Sequence, residues 1–586
     1  MRHLRGLALG ATVGWANWAT VSWATVGWAT VGWPQLAAAD PPRVSPALVA
    51  QRNPPGSTRI VPPIPLPDLP DQLPLPAPAD LLPPPALPTA PAGEVPAAVF
   101  VEQIEVVGST VFSAAELAAV TQPYVNRSIS FVELLQARSA ITQLYVSQGY
   151  ITSGAFVPPQ TIENGRVVIQ VIEGSLESIE ILGTRHLSSS YLRRRLALSA
   201  TAPLNQTRLL EGLQLLQLDP LIQSISADLQ SGTRPGSSVL QVTVQEADSF
   251  NVTLGLNNGR SPSVGSFRRQ IQFEQANLTG LGDALSVEYL NTNGSNEVNG
   301  SYEIPLNPRN GRLRLALGRA NSRVIQPPFD QADIAVPSRY YELSYRQPMI
   351  QSPTQELALG LTASRQESQT LVGGEGFPLA LEADASGRTR VSALRLTQDW
   401  TDRSSQHVLA LRSQLSLGLD WLDATVNEDL PDSRFLAWRG QGQWVRQLAP
   451  DLLLLLRGDM QLSDGELVSL EQFGLGGAQS VRGYRQDALL SNDGALFSTE
   501  ARMPLLRVPE VGGLLQIVPF LDVGTTWHNS EPLDPGTLVG VGLGLLWQQP
   551  DLSARLDWGI PLVPLAGEKR SLQENGIYFS LIYSPF

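Results

Sequence analysis

Residues 472–485 read QFGLGGAQSVRGYR, a glycine-rich stretch that carries Arg482 within Val481-Arg482-Gly483-Tyr484. About forty residues on, Asp522 sits in an apolar run between Phe520, Leu521, Val523 and Gly524. A carboxylate in an apolar strand is costly unless a cation or hydrogen-bond donors meet it. A guanidinium is suited to that task, because its planar fork matches a carboxylate. Gly483 permits a tight tip and Gly524 a close backbone approach. From the residues alone two readings stand level. Either the two charges pair, or Arg482 is a solvated loop residue and Asp522 lines a wet interior. Glu500 and Arg502 fall in a neighbouring strand-like run and read as ordinary interior charge.

Other chemistry is thinly supported. The one lysine, Lys569, is followed by Arg570, so there is no Walker A loop and no P-loop nucleotide hydrolysis. His3, His186, His407 and His528 are scattered, and cysteine is absent, so neither a metal site nor a nucleophilic triad is indicated. No cofactor and no enzymatic activity are expected. The net charge of −13 argues against nucleic acid as a partner.

The elements that must hold Arg482 and Asp522 are strands. From Ser249 to Phe586 the chain repeats segments of about ten residues with alternating faces, such as Phe250-Val252-Leu254-Leu256 and Leu357-Leu359-Leu361. Mean hydropathy is only −0.03, unlike a helical membrane protein but compatible with alternation. About 16 strands are expected, ending on the aromatic Phe586. Four Pro-apolar steps, at Pro305-Leu306, Pro348-Met349, Pro504-Leu505 and Pro561-Leu562, read as strand stops at short turns on one rim. Residues 277–283, NLTGLGD, read as a further tight turn. The connection from 463 to 492 is long enough to expect a function for it.

Ahead of the strands, residues 99–174 and 175–247 read as two copies of one β-α-α-β-β unit. Each opens with a strand closed by glycine, Gly108 and Gly183. In the first copy Leu134, Ala137, Ile141 and Leu144 recur at helical spacing. That copy also carries Gly149-Tyr150-Ile151, Pro158-Pro159-Gln160, Gly165 and Glu173-Gly174. In the second copy the strand near 222–229 is weakly marked.

These features together resemble the POTRA-plus-barrel outer-membrane translocation superfamily. The order Gly149, Tyr150, Pro158, Pro159, Gln160, Glu173, Gly174 is similar to the POTRA domain of two-partner secretion transporters, the haemolysin secretion/activation family. The implied fold is a transmembrane antiparallel β-barrel at 248–586 preceded by two α/β POTRA domains. The resemblance implies that the loop folds back into the lumen and that Arg482 pairs with Asp522, supported by Gly483, Tyr484, Phe520 and Gly524. It implies an outer-membrane location with the POTRA domains in the periplasm, where their edge strands take up an unfolded exported protein of haemolysin, adhesin or haem-acquisition type. Outer-membrane lipid is the other expected partner, and a monomer is favoured. The alternative is a barrel-assembly factor, whose relatives generally differ in POTRA number.

The N-terminus reads as a secretory signal over 1–39, with a basic start, an uncharged run and Ala37-Ala38-Ala39 before Asp40. Within it Trp18, Trp23, Trp28 and Trp33 recur every five residues, a period that fits neither helix nor strand. Residues 40–98 are a Pro-rich, extended linker. Relatives in the superfamily often carry a pore-plugging helix in this position, and the Pro-rich composition departs from that pattern.

Overall fold

A computed structural model describes residues 98–428, 431–527, 536–565 and 569–585. The expected signal, the linker and Phe586 lie outside the described residues.

The first α/β domain is built on a three-stranded sheet. Arg166–Ile172 is central, flanked in parallel by Gln103–Val107 and antiparallel by Gly154–Phe156. Helices α1 (Ala114–Thr121) and α2 (Phe131–Ser147) start at Ser113 and Ser130, each closing a capping box with the glutamate three residues on. Leu134, Ala137, Ile141 and Tyr145 of α2 are buried in one cluster with Val167, Ile169 and Val171 of the central strand. Each such aliphatic contributes roughly 1.5–3 kcal/mol relative to exposure. The opening strand expected as one piece is two. Val99–Val101 pairs instead with Arg127–Ile129, because the N–H groups of Glu102 and Gln103 both turn to the Gly165 carbonyl, at 2.8 and 3.2 Å.

The second domain repeats the plan. Ser237–Glu246 is central between Ser175–Leu182 and Ile222–Ser231, with α3 (Ser189–Ser199) and α4 (Gln206–Gln217) packed on the sheet. The weakly marked strand is a full ten residues, held by nine register pairs to Ser237–Glu246.

Sixteen antiparallel staves then close a barrel, from Phe250–Asn257 to Ile577–Tyr583. Alternation sorts the side chains as expected. Leu254 and Leu256, Val287 and Tyr289, and Leu359 and Leu361 are exposed on the outside, while arginines, acids and amides are buried within. The closing junction pairs 254–257 with 580–583 in four residue pairs, fewer than any other junction.

Two expectations about proline are corrected. Pro348 and Pro504 do not stop their strands, which run on to Gln351 and Val508 through register shifts after each proline. A bulge accommodates a residue with no N–H to give the ladder. Pro561 lies on the opposite rim from the other three. It ends the fifteenth stave, Leu552–Pro561, which runs away from the α/β domains as every odd-numbered stave does.

The second domain is seated on the turn 277–283, the first on the rim that faces it. The Ser188 N–H donates to the Gly280 carbonyl at 2.8 Å. Gly282, at φ +81°, lies against the ring of Tyr191, leaving no room for a Cβ. Arg195 of α3 reaches Asn310 in the next turn on that rim at 2.7 and 3.0 Å.

Candidate functional site

The connection after the eleventh stave, Leu452–Ser463, turns inward. It is held by a short hairpin of Phe473–Leu475 with Leu489–Ser491 and by lumen side chains. Arg395 forks onto Glu471 at 2.6 and 3.0 Å. Gln461 donates to the carbonyls of Glu471 and Asn492, both at 3.0 Å. Gly476, Gly477 and Gly483 take φ of +105°, +102° and +105°, conformations that favour glycine.

These turns deliver Arg482 to the wall. Its Nε and Nη2 donate to the two oxygens of Asp522 at 2.7 and 2.9 Å, and its backbone N–H to Oδ2 at 3.1 Å. Ser498 donates to the same carboxylate at 2.6 Å. The guanidinium lies over the Phe520 ring, 3.4 Å from its centroid. Both partners are buried, with Arg482 at 4% exposure and Asp522 at 0%. In so dry a place the pair holds only because hydrogen bonds satisfy both groups.

Glu500, read from sequence as ordinary interior charge, is a hub. It accepts from Arg482 Nη1 at 3.0 Å, from Arg502 at 2.9 Å and from Arg555 at 2.7 and 3.2 Å. Arg555 in turn donates to Asp557 at 2.7 Å. Charges of alternating sign on three staves, Asp493–Val508, Gly513–Trp527 and Leu552–Pro561, thus surround the loop tip. Arg555, Asp557 and Ser498 were not singled out in the sequence.

The tip rests on backbone. Cβ atoms on Gly540 and Gly559 would strike the Arg482 carbonyl and the Gly483 N–H, and one on Gly524 would meet Leu475 and Val481. Gly540, Gly542 and Gly544 alternate along Thr537–Gln549 with the exposed Val541, Leu543 and Leu545. Alternate glycines inside a lipid-facing strand were the available signal for this bed. Tyr578 finishes it. Its hydroxyl accepts from the Gly483 N–H at 2.9 Å and donates to the Tyr484 carbonyl at 2.5 Å. The Tyr484 hydroxyl lies 2.9 Å from the carbonyls of both Val539 and Val563. Val481 is fully buried in a cluster with Phe473, Leu475 and Leu538.

The first-domain residues form a second constellation. The Gln160 amide stands in for a strand, accepting from the Val168 N–H and donating to its carbonyl, both at 2.7 Å. Pro158 and Pro159 cannot donate to a ladder, so pairing with the central strand ends at Phe156 and the side chain takes over. Glu173 accepts from the N–H groups of Thr110 and Val111 at 2.7 and 3.1 Å and from Tyr145 at 2.9 Å. Burial pushes the Glu173 carboxyl up, but the hydrogen bonds from Thr110, Tyr145 and Val111 outweigh it and hold it below the usual range. Burial, with Glu173 adding to it, pushes the Tyr145 hydroxyl up to about 12. Tyr150 packs edge-on against Tyr145 at 6.0 Å. Gly149 and Gly174 are joints, since their carbonyls accept from Gln206 and Leu204 of the second domain at 2.8 and 2.7 Å.

The second domain has its own version of the clamp, which the sequence reading passed over. Glu246 accepts from the N–H groups of Arg185, His186 and Leu187 at 2.6 to 3.1 Å. Gly108 lies over the Val171 carbonyl and Gly183 over the Val244 carbonyl, at φ +86° and +85°. Glu173 and Glu246 each follow two residues later.

His407 does meet Ser404 at 2.8 Å and Asp402 at 3.2 Å. The Ser404 hydroxyl is committed to closing its turn, accepting from the Gln406 and His407 N–H groups, which is the work of a turn serine. Among the described residues no group of acids and histidines could hold a metal ion.

Comparison with known proteins matches this architecture. The family model described as "Haemolysin secretion/activation protein ShlB/FhaC/HecB" matches residues 236–546, and a ShlB-type POTRA model matches 99–174. The outer membrane transporter CdiB of Escherichia coli is 25% identical over 490 residues, 81% of each chain. The heme/hemopexin transporter protein HuxB of Haemophilus influenzae is 22% identical over 447 residues, 73% of this chain and 77% of that one. The solved structure of CdiB from Escherichia coli superposes with a TM-score of 0.64, 22% identity, and coverage of 85% of this chain and 92% of that one.

Proposed function

The chain belongs to the haemolysin secretion/activation protein family, and from that premise we propose that it exports a dedicated, unfolded partner taken up at the edges of its α/β sheets. It is an outer-membrane transporter of two-partner secretion, with periplasmic POTRA domains, and not an enzyme. The uptake step rests on one repeated feature. In each POTRA domain the strand parallel to the centre lies at the sheet edge, and each ends on an exposed aliphatic, Val107 or Leu182, just before a glycine at φ +86° or +85°. An edge strand offers unpaired main-chain groups that pair with an extended chain of almost any sequence. Folding of the partner outside the cell supplies the drive, since the sequence holds no P-loop. By analogy with HuxB and the haemolysin-named family, the partner is a haemolysin, adhesin or haem-acquisition protein.

The latch of Arg482 and Asp522 serves this function by fixing the long loop in the lumen, with Glu500 as the second anchor. A photoreactive residue at position 107 or 182 tests the uptake step. Cross-linking of one secreted protein during export, abolished when that protein is deleted, is the expected result. Labelling of many unrelated outer-membrane proteins instead would point to barrel assembly.

A further inference from the structure

A cleft of about 490 Å3 lies where the second POTRA domain meets the barrel rim. One wall is α3 and α4, with Leu198, Leu215 and Arg195. The other is the rim of the fifth to eighth staves, Arg312–Arg323, Ile334–Gln351, Gln355–Gln369 and Arg388–Arg403, with the turn residue Arg309. The volume falls in the range of ligand sites, about 300–1,000 Å3.

Alternation fixes which side of the barrel wall this is. Leu315 and Leu317, Tyr341 and Leu343, and Leu396 and Trp400 face outward. Arg312, Arg346 and Arg403 fall on the opposite parity of their strands, so the cleft opens towards the lumen, not towards lipid.

Its charge is unlike the chain's. Five guanidiniums line it, those of Arg195, Arg309, Arg312, Arg346 and Arg403, against the carboxylates of Asp219 and Glu356, in a protein whose net charge is −13. Three of the five are tied down. Arg195 stacks on Tyr191 at 3.5 Å while holding Asn310. Arg312 pairs with Glu303 at 2.8 Å, and Arg346 with Glu356 at 2.5 Å and Asp399 at 3.3 Å. Arg309 and Arg403 are exposed, and among the described residues neither side chain has an ion-pair partner. Leu198 and Met349 are exposed beside them.

We infer that this cleft is the port through which the extended partner enters the barrel, and that Arg309 and Arg403 engage acidic side chains of the passing chain. The inference rests on the transport reading above. Exposed leucine and methionine beside free guanidiniums fit a polypeptide, which brings both carboxylates and apolar side chains, better than a lone inorganic anion. Rim charges of this kind act chiefly on encounter and register.

The test needs no knowledge of the natural partner. The purified full chain in detergent is titrated with two labelled peptides of equal length, one alternating glutamate and serine and one alternating glutamine and serine, followed by fluorescence anisotropy. The acidic peptide should bind about tenfold tighter than the neutral one, and the double variant Arg309→Glu/Arg403→Glu should erase that preference. The Arg309→Lys/Arg403→Lys variant, which keeps the charge, should retain it and guards against a folding artefact. Equal binding of both peptides, a preference untouched by the glutamate variant, or displacement by an equal concentration of inorganic phosphate would each overturn the inference. Failure of the transport reading would show elsewhere, as an unchanged set of secreted proteins in cells lacking the chain.

Discussion

The guanidinium of Arg482 grips both oxygens of Asp522, at 2.7 and 2.9 Å, across forty residues of chain. Removing one member of such a buried pair leaves the other charge stranded, at a cost of about 3–5 kcal/mol. Arg482→Ala strands Asp522 and takes a cation from Glu500, so the folded barrel should lose stability by that order in denaturant unfolding. Arg482→Ala combined with Asp522→Ala should cost less than the sum of the two single changes. Strict additivity would mean that the two side chains do not act as a pair.

Gly540 and Gly559 predict a steric effect with no change of charge. Alanine at Gly540 meets the Arg482 carbonyl and must push the loop tip off the wall. A cost of about 1–3 kcal/mol and faster proteolysis of the loop are expected. Gly300, where an added Cβ meets nothing within 4 Å, is the control. Gly300→Ala should leave both readouts unchanged.

The two POTRA clamps predict a shared response to acid. In both Glu173 and Glu246 burial raises the carboxyl, but the hydrogen bonds it accepts outweigh burial and hold it below its ordinary value in the fold. Their stabilisation is therefore fully present above the unfolded value and is lost as pH falls through the folded one. Amide exchange at 110–111 and 185–187 should speed up on acidification relative to the intrinsic rate. Glu173→Gln should flatten that dependence at 110–111 only, leaving 185–187 as in the parent.

The seat of the second POTRA domain predicts separable effects at Gly282 and Tyr191. Gly282→Ala combines a φ of +81° with a collision against the Tyr191 ring, so it should release α3 from the turn and raise amide exchange at Ser188. Tyr191→Phe keeps the ring and loses only the 2.6 Å hydrogen bond to Asp219, a cost of about 0.5–1.5 kcal/mol. If Gly282→Ala left exchange at Ser188 unchanged, the seat would not depend on that contact.

Alternation made the barrel legible, because a strand with one face in lipid and one in water must alternate wherever it crosses. The duplicated α/β unit was legible for a similar reason, since helical and strand periods follow each other twice in the same order. Arg482 and Asp522 stood out because each is an anomaly in its own segment. Glu500, Arg555 and Asp557 did not, because charges on an inward face look alike in sequence and only the closed barrel decides which of them meet. Pro348 and Pro504 misled for a local reason: a proline ends pairing only where no bulge absorbs it. Pro561 misled because the rim on which a turn lies depends on counting every strand before it. Glu246 could have been found by laying the second copy over the first, Gly183 on Gly108.

The most direct test of the central claim compares cells with and without this chain, reading the proteins of the medium and of the outer membrane by mass spectrometry. Loss of one large protein from the medium, with the outer-membrane profile intact and export restored by the wild-type chain, is the outcome a dedicated transporter predicts. Loss of many barrels from the outer membrane, with no single protein missing from the medium, would contradict it.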